Sequence, residues 1–230
     1  ETRVDILVTP LVTIFSGVGL SMLIAAPIGA AASQVGTLIM WATEQAPLVM
    51  GILVSVIVGV ALTLPISSAA ICAALGLTGL AGGAAVAGCC AQMIGFAVMS
   101  YKENGVGGLV SQGLGTSMLQ MGNIVKNPRI WIAPTLASAI TGPLATCVFH
   151  FEMNGAAVSS GMGTCGLVGQ IGVYTGWVSD IAAGTKAAIT PMDWAAMVLL
   201  CFVLPAVLSV IFCEIERKMG WIKEGDLKLN

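Results

Sequence analysis

Charge is what this chain has least of. Asp, Glu, Lys and Arg together make up 9% of its 230 residues, against roughly 25% in a soluble globular protein. Such a chain cannot clothe its surface with charge, and its composition points to lipid as solvent. The charges it has are bunched. None occurs from Ile6 to Thr43, Gln45 to Tyr101, Asn104 to Val125, Ile130 to Phe149, or Trp194 to Cys213. A membrane-spanning helix needs about 20 mostly apolar residues, and several of these runs are that long. The net charge of −2, with no basic stripe, speaks against nucleic acid as a partner. A single histidine leaves no His-rich metal set. No Gly-Lys-Ser/Thr phosphate loop occurs, and the serines have no triad partners. These absences lead us to expect no enzyme, no metal and no cofactor. No CxxC pair occurs among the seven cysteines, and Cys89-Cys90 is vicinal. We read the cysteines as free thiols acting as small apolar residues in a bundle.

What is present is apolar side chain, at 57% with a mean hydropathy of +0.97, and glycine. The fold class expected is all-α, a polytopic membrane helix bundle with re-entrant or broken helices and internal pseudo-symmetry. Residues 6–26 read as a first span bounded by Pro10 and Pro27. The run is too long for a signal core. The chain starts with Glu1, and we expect an N-terminal piece before it. Residues 28–43 read as a separate tilted or interfacial helix, with Trp41 at headgroup level. Residues 47–64 are the clearest span, broken by Pro65. A short, partly buried helix or re-entrant hairpin follows near 66–78, then a Gly/Ala-rich span near 80–99, whose small residues allow close packing. Polar loops are expected at 101–105 and 123–129. Between them, 106–122 has the character of 28–43: "SQGLGT" at 111–116 echoes "SQVGT" at 33–37. A span over 130–150 leads into a broken, glycine-dense segment that continues to about 175. Its "SSGMGTCGLVG" echoes "SSAAICAALGLTG" at 67–79. Residues 176–193 read as a loop or surface helix, and 194–213 as the last span. Arg217, Lys218, Lys223 and Lys228 in the tail place the C-terminus in the cytoplasm by the positive-inside rule. Lys102, Lys126 and Arg129 cannot be assigned a side from sequence.

"CVFHFEMNGAAVSSGMGTCGLVGQIG" (147–172) concentrates the candidate chemistry. Ionisable groups at membrane depth are costly and mark functional sites, and irregular backbone there lines a cavity or is buried by protein. His150 and Glu152 cannot share a helix face at this spacing. A break near 151–155, with Asn154-Gly155 as turn chemistry, would let them converge. Glu152 could accept hydrogen bonds from a polar solute, and His150 could donate, accept or carry a proton. Asn154, Ser159, Ser160, Thr164 and Gln170 offer further polar contacts. Ser67 and Ser68 either line the first broken segment or bond helix backbone. The competing reading leaves His150 and Glu152 facing water at the membrane interface. Arg129 in "KNPR" could bind an anion or a lipid headgroup, or could anchor the chain by positive charge alone. Glu44, beside Trp41, reads as solvated.

"ETRVDILVTPLVTI" at the start and "NPRIWIAPTLASAITGPLATCVFHFEMNGAAVSSGMGTCGLVGQIG" (127–172) resemble membrane proteins of the phosphotransferase-system EIIC type. The branch they most resemble includes the PfoR-type regulatory membrane proteins. The resemblance implies one integral membrane domain over residues 1–230, dimeric, in a bacterial cell membrane, with a solute pathway formed by the broken segments. The 230 residues hold no soluble module with a phosphorylatable Cys or His, so a phosphorylated product would need a cytoplasmic phosphotransferase partner. Two functions then stand: a permease for a small polar or anionic solute, sugars included, or a membrane-embedded regulator that keeps the permease fold without flux.

Overall fold

The computed structural model describes residues 5–229. The flank 1–4, with Arg3, lies outside them. The fold is all-α: the described residues form helices and no sheet, with one isolated antiparallel bridge between Gly79 and Met153. Among the described residues, three helices are long and apolar enough to cross a membrane, Gly79–Met99, Pro128–Val148 and Pro191–Lys218.

The first helix corrects the sequence reading. α1 runs unbroken over Asp5–Gln45, 41 residues, through both Pro10 and Pro27. The separate elements expected at 6–26 and 28–43 are one rod, about 60 Å long at 1.5 Å per residue. Proline removes one hydrogen bond and crowds one carbonyl. In lipid the neighbouring backbone groups have no partners outside the helix, so the helix carries through. Its apolar side chains are largely uncovered by protein, as Phe15 at 73% and Met22 at 76% exposure show. Trp41 and Glu44 near its end are also exposed.

α2 (Pro47–Thr63) starts on Pro47 and ends before Pro65, as the sequence predicts. α4 (Gly79–Met99) is the axis of the bundle, buried along nearly its whole length. Glycine and alanine make this possible by letting backbones touch. A β-carbon on Gly88 would fall on the Ser55 carbonyl of α2. Across the seam, Ser55 Oγ donates to Ser138 O at 2.8 Å and Ser138 Oγ to Gly88 O at 3.3 Å. Ser138 belongs to α7 (Ile132–Pro143), which continues through a π turn to Val148. Contacts of Gly59 with Gly88, and of Thr63 with Gln92, set α2 parallel to α4. Gly51 against Gly142 sets α7 antiparallel to α2. The last long helix joins α9 (Pro191–Val198) to α10 (Leu204–Lys218) through a second π turn.

Parallel α2 and α4 need a return connection. α3 (Ser68–Leu75) supplies it, capped by Ser67 Oγ accepting from Ala70 N and ended by left-handed Gly76. It lies beside the second broken segment, where 157–161 and 165–167 form 3-10 turns. The two serine-pair stretches thus meet. Ser68 Oγ donates to Gly161 O at 2.7 Å, Ser160 Oγ to Leu77 O at 2.6 Å, and Gly79 and Met153 exchange backbone hydrogen bonds. Removing a donor from a buried carbonyl costs about 1–3 kcal/mol. Ser160→Ala, which orphans Leu77 O, is therefore expected to lower the unfolding midpoint in detergent, read by thermal melting. The other pair differs in conformation: "SQVGT" sits inside α1, whereas "SQGLGT" forms a π turn ending in extended Thr116.

At the far end of α4 the expected polar loops are helical. α5 (Tyr101–Val110) bends at left-handed Gly105, and α6 covers Met121–Lys126. They are helical because the tail straps across them and takes their polar groups as partners. Glu103 Oε2 accepts from Leu227 N at 2.8 Å, Asn104 Oδ1 from Leu229 N at 2.8 Å, and Gln120 Nε2 donates to Leu227 O at 2.9 Å.

Candidate functional site

α7 and its π turn end at Val148, and His150 takes a left-handed φ of 44°. A β-carbon at such a φ is strained, and the strain marks a sharp change of course. Phe151 N then bonds Ala145 O at 2.8 Å and Met153 joins the bridge to Gly79. From His150 to Asn154 the chain makes no helical turn, and over 151–154 its side chains alternate between buried and accessible, as along a strand. Phe151 and Met153 face the core at 3% and 0% exposure. His150, Glu152 and Asn154 face the other way. They converge by this alternation rather than by a turn at Asn154-Gly155.

They line a cavity of about 480 Å³, within the usual range of about 300–1,000 Å³ for small-molecule sites. α8 (Val168–Ala182) returns alongside the broken segment, since Gly155 sits on Gly172 and Gly176 on Asn154. It brings Trp177 and Asp180 to the cavity, the loop into α9 brings Lys186, and the first turn of α9 brings Asp193. Asn154 Nδ2 donates to Glu152 Oε2 at 3.0 Å and to Asp180 Oδ2 at 2.9 Å. One amide thus holds two carboxylates side by side through charge-assisted bonds. Opposite, Lys186 Nζ pairs with Asp193 Oδ1 at 2.8 Å and lies 5.7 Å from the Trp177 ring centroid. Asp193 also caps α9, with Thr190 accepting from its backbone and donating to its carboxylate. Trp194 meets Trp177 edge-on at 5.5 Å.

The remaining sequence candidates lie elsewhere. Ser67 caps α3, and Ser68 and Ser160 bond carbonyls across the paired broken segments. Ser159 is buried against Gly172. Thr164 donates to Gly113 O, and Gln170 Nε2 to Cys90 Sγ at 3.2 Å. None of these six lines the cavity. Arg129 is exposed, its guanidinium 5.6 Å from the Trp221 ring, at the opposite end of the bundle. Conversely, Trp177, Asp180, Lys186 and Asp193 do line it, although the stretch 176–193 reads as a mere loop or surface helix. Three charges in a chain so short of them were the available signal. A second hollow, about 550 Å³ between α2 and α3, is apolar except for Ser68. It holds no set of polar groups to orient a polar solute.

No curated protein and no solved structure matches the chain. A family model does match it, over residues 1–229, and the chain belongs to the family that model describes: phosphotransferase system, EIIC.

Proposed function

We propose that the protein is a membrane permease whose solute site is the cavity of His150, Glu152, Asn154, Asp180, Lys186 and Asp193. The observation that carries this reading is the Asn154 bridge between two carboxylates in a cavity beside a broken helix. Discontinuous segments of this kind hold substrates in transporters. The charge of the lining narrows the solute. Three carboxylates face one lysine and one histidine, so an anion meets net repulsion. A neutral polyhydroxylated solute fits better: Glu152 and Asp180 accept from hydroxyls, and Lys186 and His150 donate to them. Sugars are the obvious members of that class.

The test is uptake into proteoliposomes of labelled neutral sugars and polyols, amino sugars and sugar phosphates. Saturable uptake of a neutral or amino member, with sugar phosphates excluded, supports the reading. Saturable uptake of sugar phosphates alone contradicts it. Saturable binding without flux favours the regulator that keeps a permease fold.

A further inference from the structure

The charges unassigned in the sequence fall into place once the fold is known. Lys102 bonds Glu214 of α10 at 2.8 Å, Lys126 shares a cleft with Asp226 and Lys228 of the tail, and Arg129 lies on Trp221. These three basic residues therefore sit with Arg217, Lys218, Lys223 and Lys228. That gathers seven of the nine basic residues at one end of the bundle. Arg3 is outside the described residues, and only Lys186 is at the cavity end. Asp193 and Arg217 stand on one continuous helix, about 36 Å apart at 1.5 Å per residue, which exceeds the roughly 30 Å of hydrocarbon. The two charge groups thus lie on opposite sides of the membrane. Seven basic residues there meet five acids, Glu103, Glu214, Glu216, Glu224 and Asp226, and leave that end at net +2, whereas Glu152, Asp180 and Asp193 line the cavity beside the single Lys186. Basic residues close to span ends set orientation, and the cytoplasmic leaflet is the anionic one.

We infer that the basic end is the surface that meets the anionic lipid headgroups of the cytoplasmic leaflet, so that the acidic cavity opens to the outside of the cell. The conformation described is then outward-facing, and a solute reaches Glu152 and Asp180 without crossing the bilayer. The consequence for solute entry rests on the proposed site; the orientation itself does not.

The orientation is read by labelling intact bacterial cells that express the full chain with a membrane-impermeant maleimide. Two single substitutions at exposed positions serve, Ala187→Cys in the loop beside the cavity and Glu224→Cys in the tail. The native cysteines are buried or half-buried, and the wild-type chain sets the background. Ala187→Cys is expected to label in intact cells as fully as in permeabilised ones. Glu224→Cys is expected to stay at background until the cells are permeabilised. The reverse pattern, or equal labelling of both in intact cells, overturns the inference. Because labelling needs no flux, a failed uptake experiment and a failed orientation are told apart.

Discussion

Gly88→Val is expected to yield no folded protein. The Gly88 Cα lies so close to α2 that even a β-carbon would strike the Ser55 carbonyl carbon, oxygen and Cα. These are backbone atoms of a regular helix and cannot rotate away. α2 must then separate from α4, although Gly59 packs on Gly88 at the same crossing. Separation also strains the bonds Ser55 Oγ to Ser138 O and Ser138 Oγ to Gly88 O. Overpacking costs about 1–3 kcal/mol, and each lost bond about 1 kcal/mol more. The sum approaches the lower end of the roughly 5–15 kcal/mol by which proteins are stable. Gel filtration in detergent should show aggregate rather than a single peak. Gly107→Ala is the contrast: nothing lies within 4 Å of its added carbon, and α5 should gain up to about 1 kcal/mol of helix propensity. A monodisperse Gly88→Val protein with an unshifted melt would show that α2 and α4 are not in contact as described.

The second large effect is at Asn154. Its amide is the donor that lets Glu152 and Asp180 stand together. Asn154→Asp keeps the shape and removes both donors, leaving three carboxylates in contact. Like charges at about 4 Å repel by about 4 kcal/mol at an effective dielectric of 20. If most of that disorders the site, solute affinity falls on the order of 100-fold, at 1.4 kcal/mol per tenfold. The sign of the pH dependence follows. Lowering pH protonates one of the crowded carboxylates and relieves the repulsion, so uptake by the variant rises on acidification relative to wild type. Asn154→Leu loses the donors without adding charge. It is expected to lose less, about tenfold, and to show no acid rescue. The ratio of variant to wild-type uptake across pH reads both effects.

Much of the bundle was legible because charge is so rare. The charge-free runs, with Pro47, Pro65 and the glycine–alanine stretch dividing the longest of them, mark α2, α4, α7 and the helix ending in α10 to within a few residues. α1 was misjudged at Pro27, because proline is read as punctuation where water can satisfy the freed backbone, and lipid cannot. The stretches 101–105 and 123–126 look like loops locally, and the short helices that contain them are fixed by the tail, far away in sequence. Part of the cavity was legible for the same reason as the spans: His150, Glu152 and Asn154 stand out against an apolar background. What the sequence could not show was that the helix ends before His150 and that side chains alternate over 151–154, which turns a spacing of two from an obstacle into an alignment. Nor could it show that α8 folds back to carry Asp180 to Asn154, 26 residues away. Glycine and serine density in 155–172 signals close backbone approach here, with Ser160 and Thr164 spending their hydroxyls on carbonyls.

The most direct measurement is the uptake of the best-transported neutral solute by Glu152→Gln beside Ser67→Ala in the same liposomes. Both positions are exposed and both side chains bond locally, but only Glu152 faces the cavity. Uptake is expected to collapse in Glu152→Gln and to match wild type in Ser67→Ala. Equal uptake by Glu152→Gln and wild type would contradict the placement of the solute at this cavity.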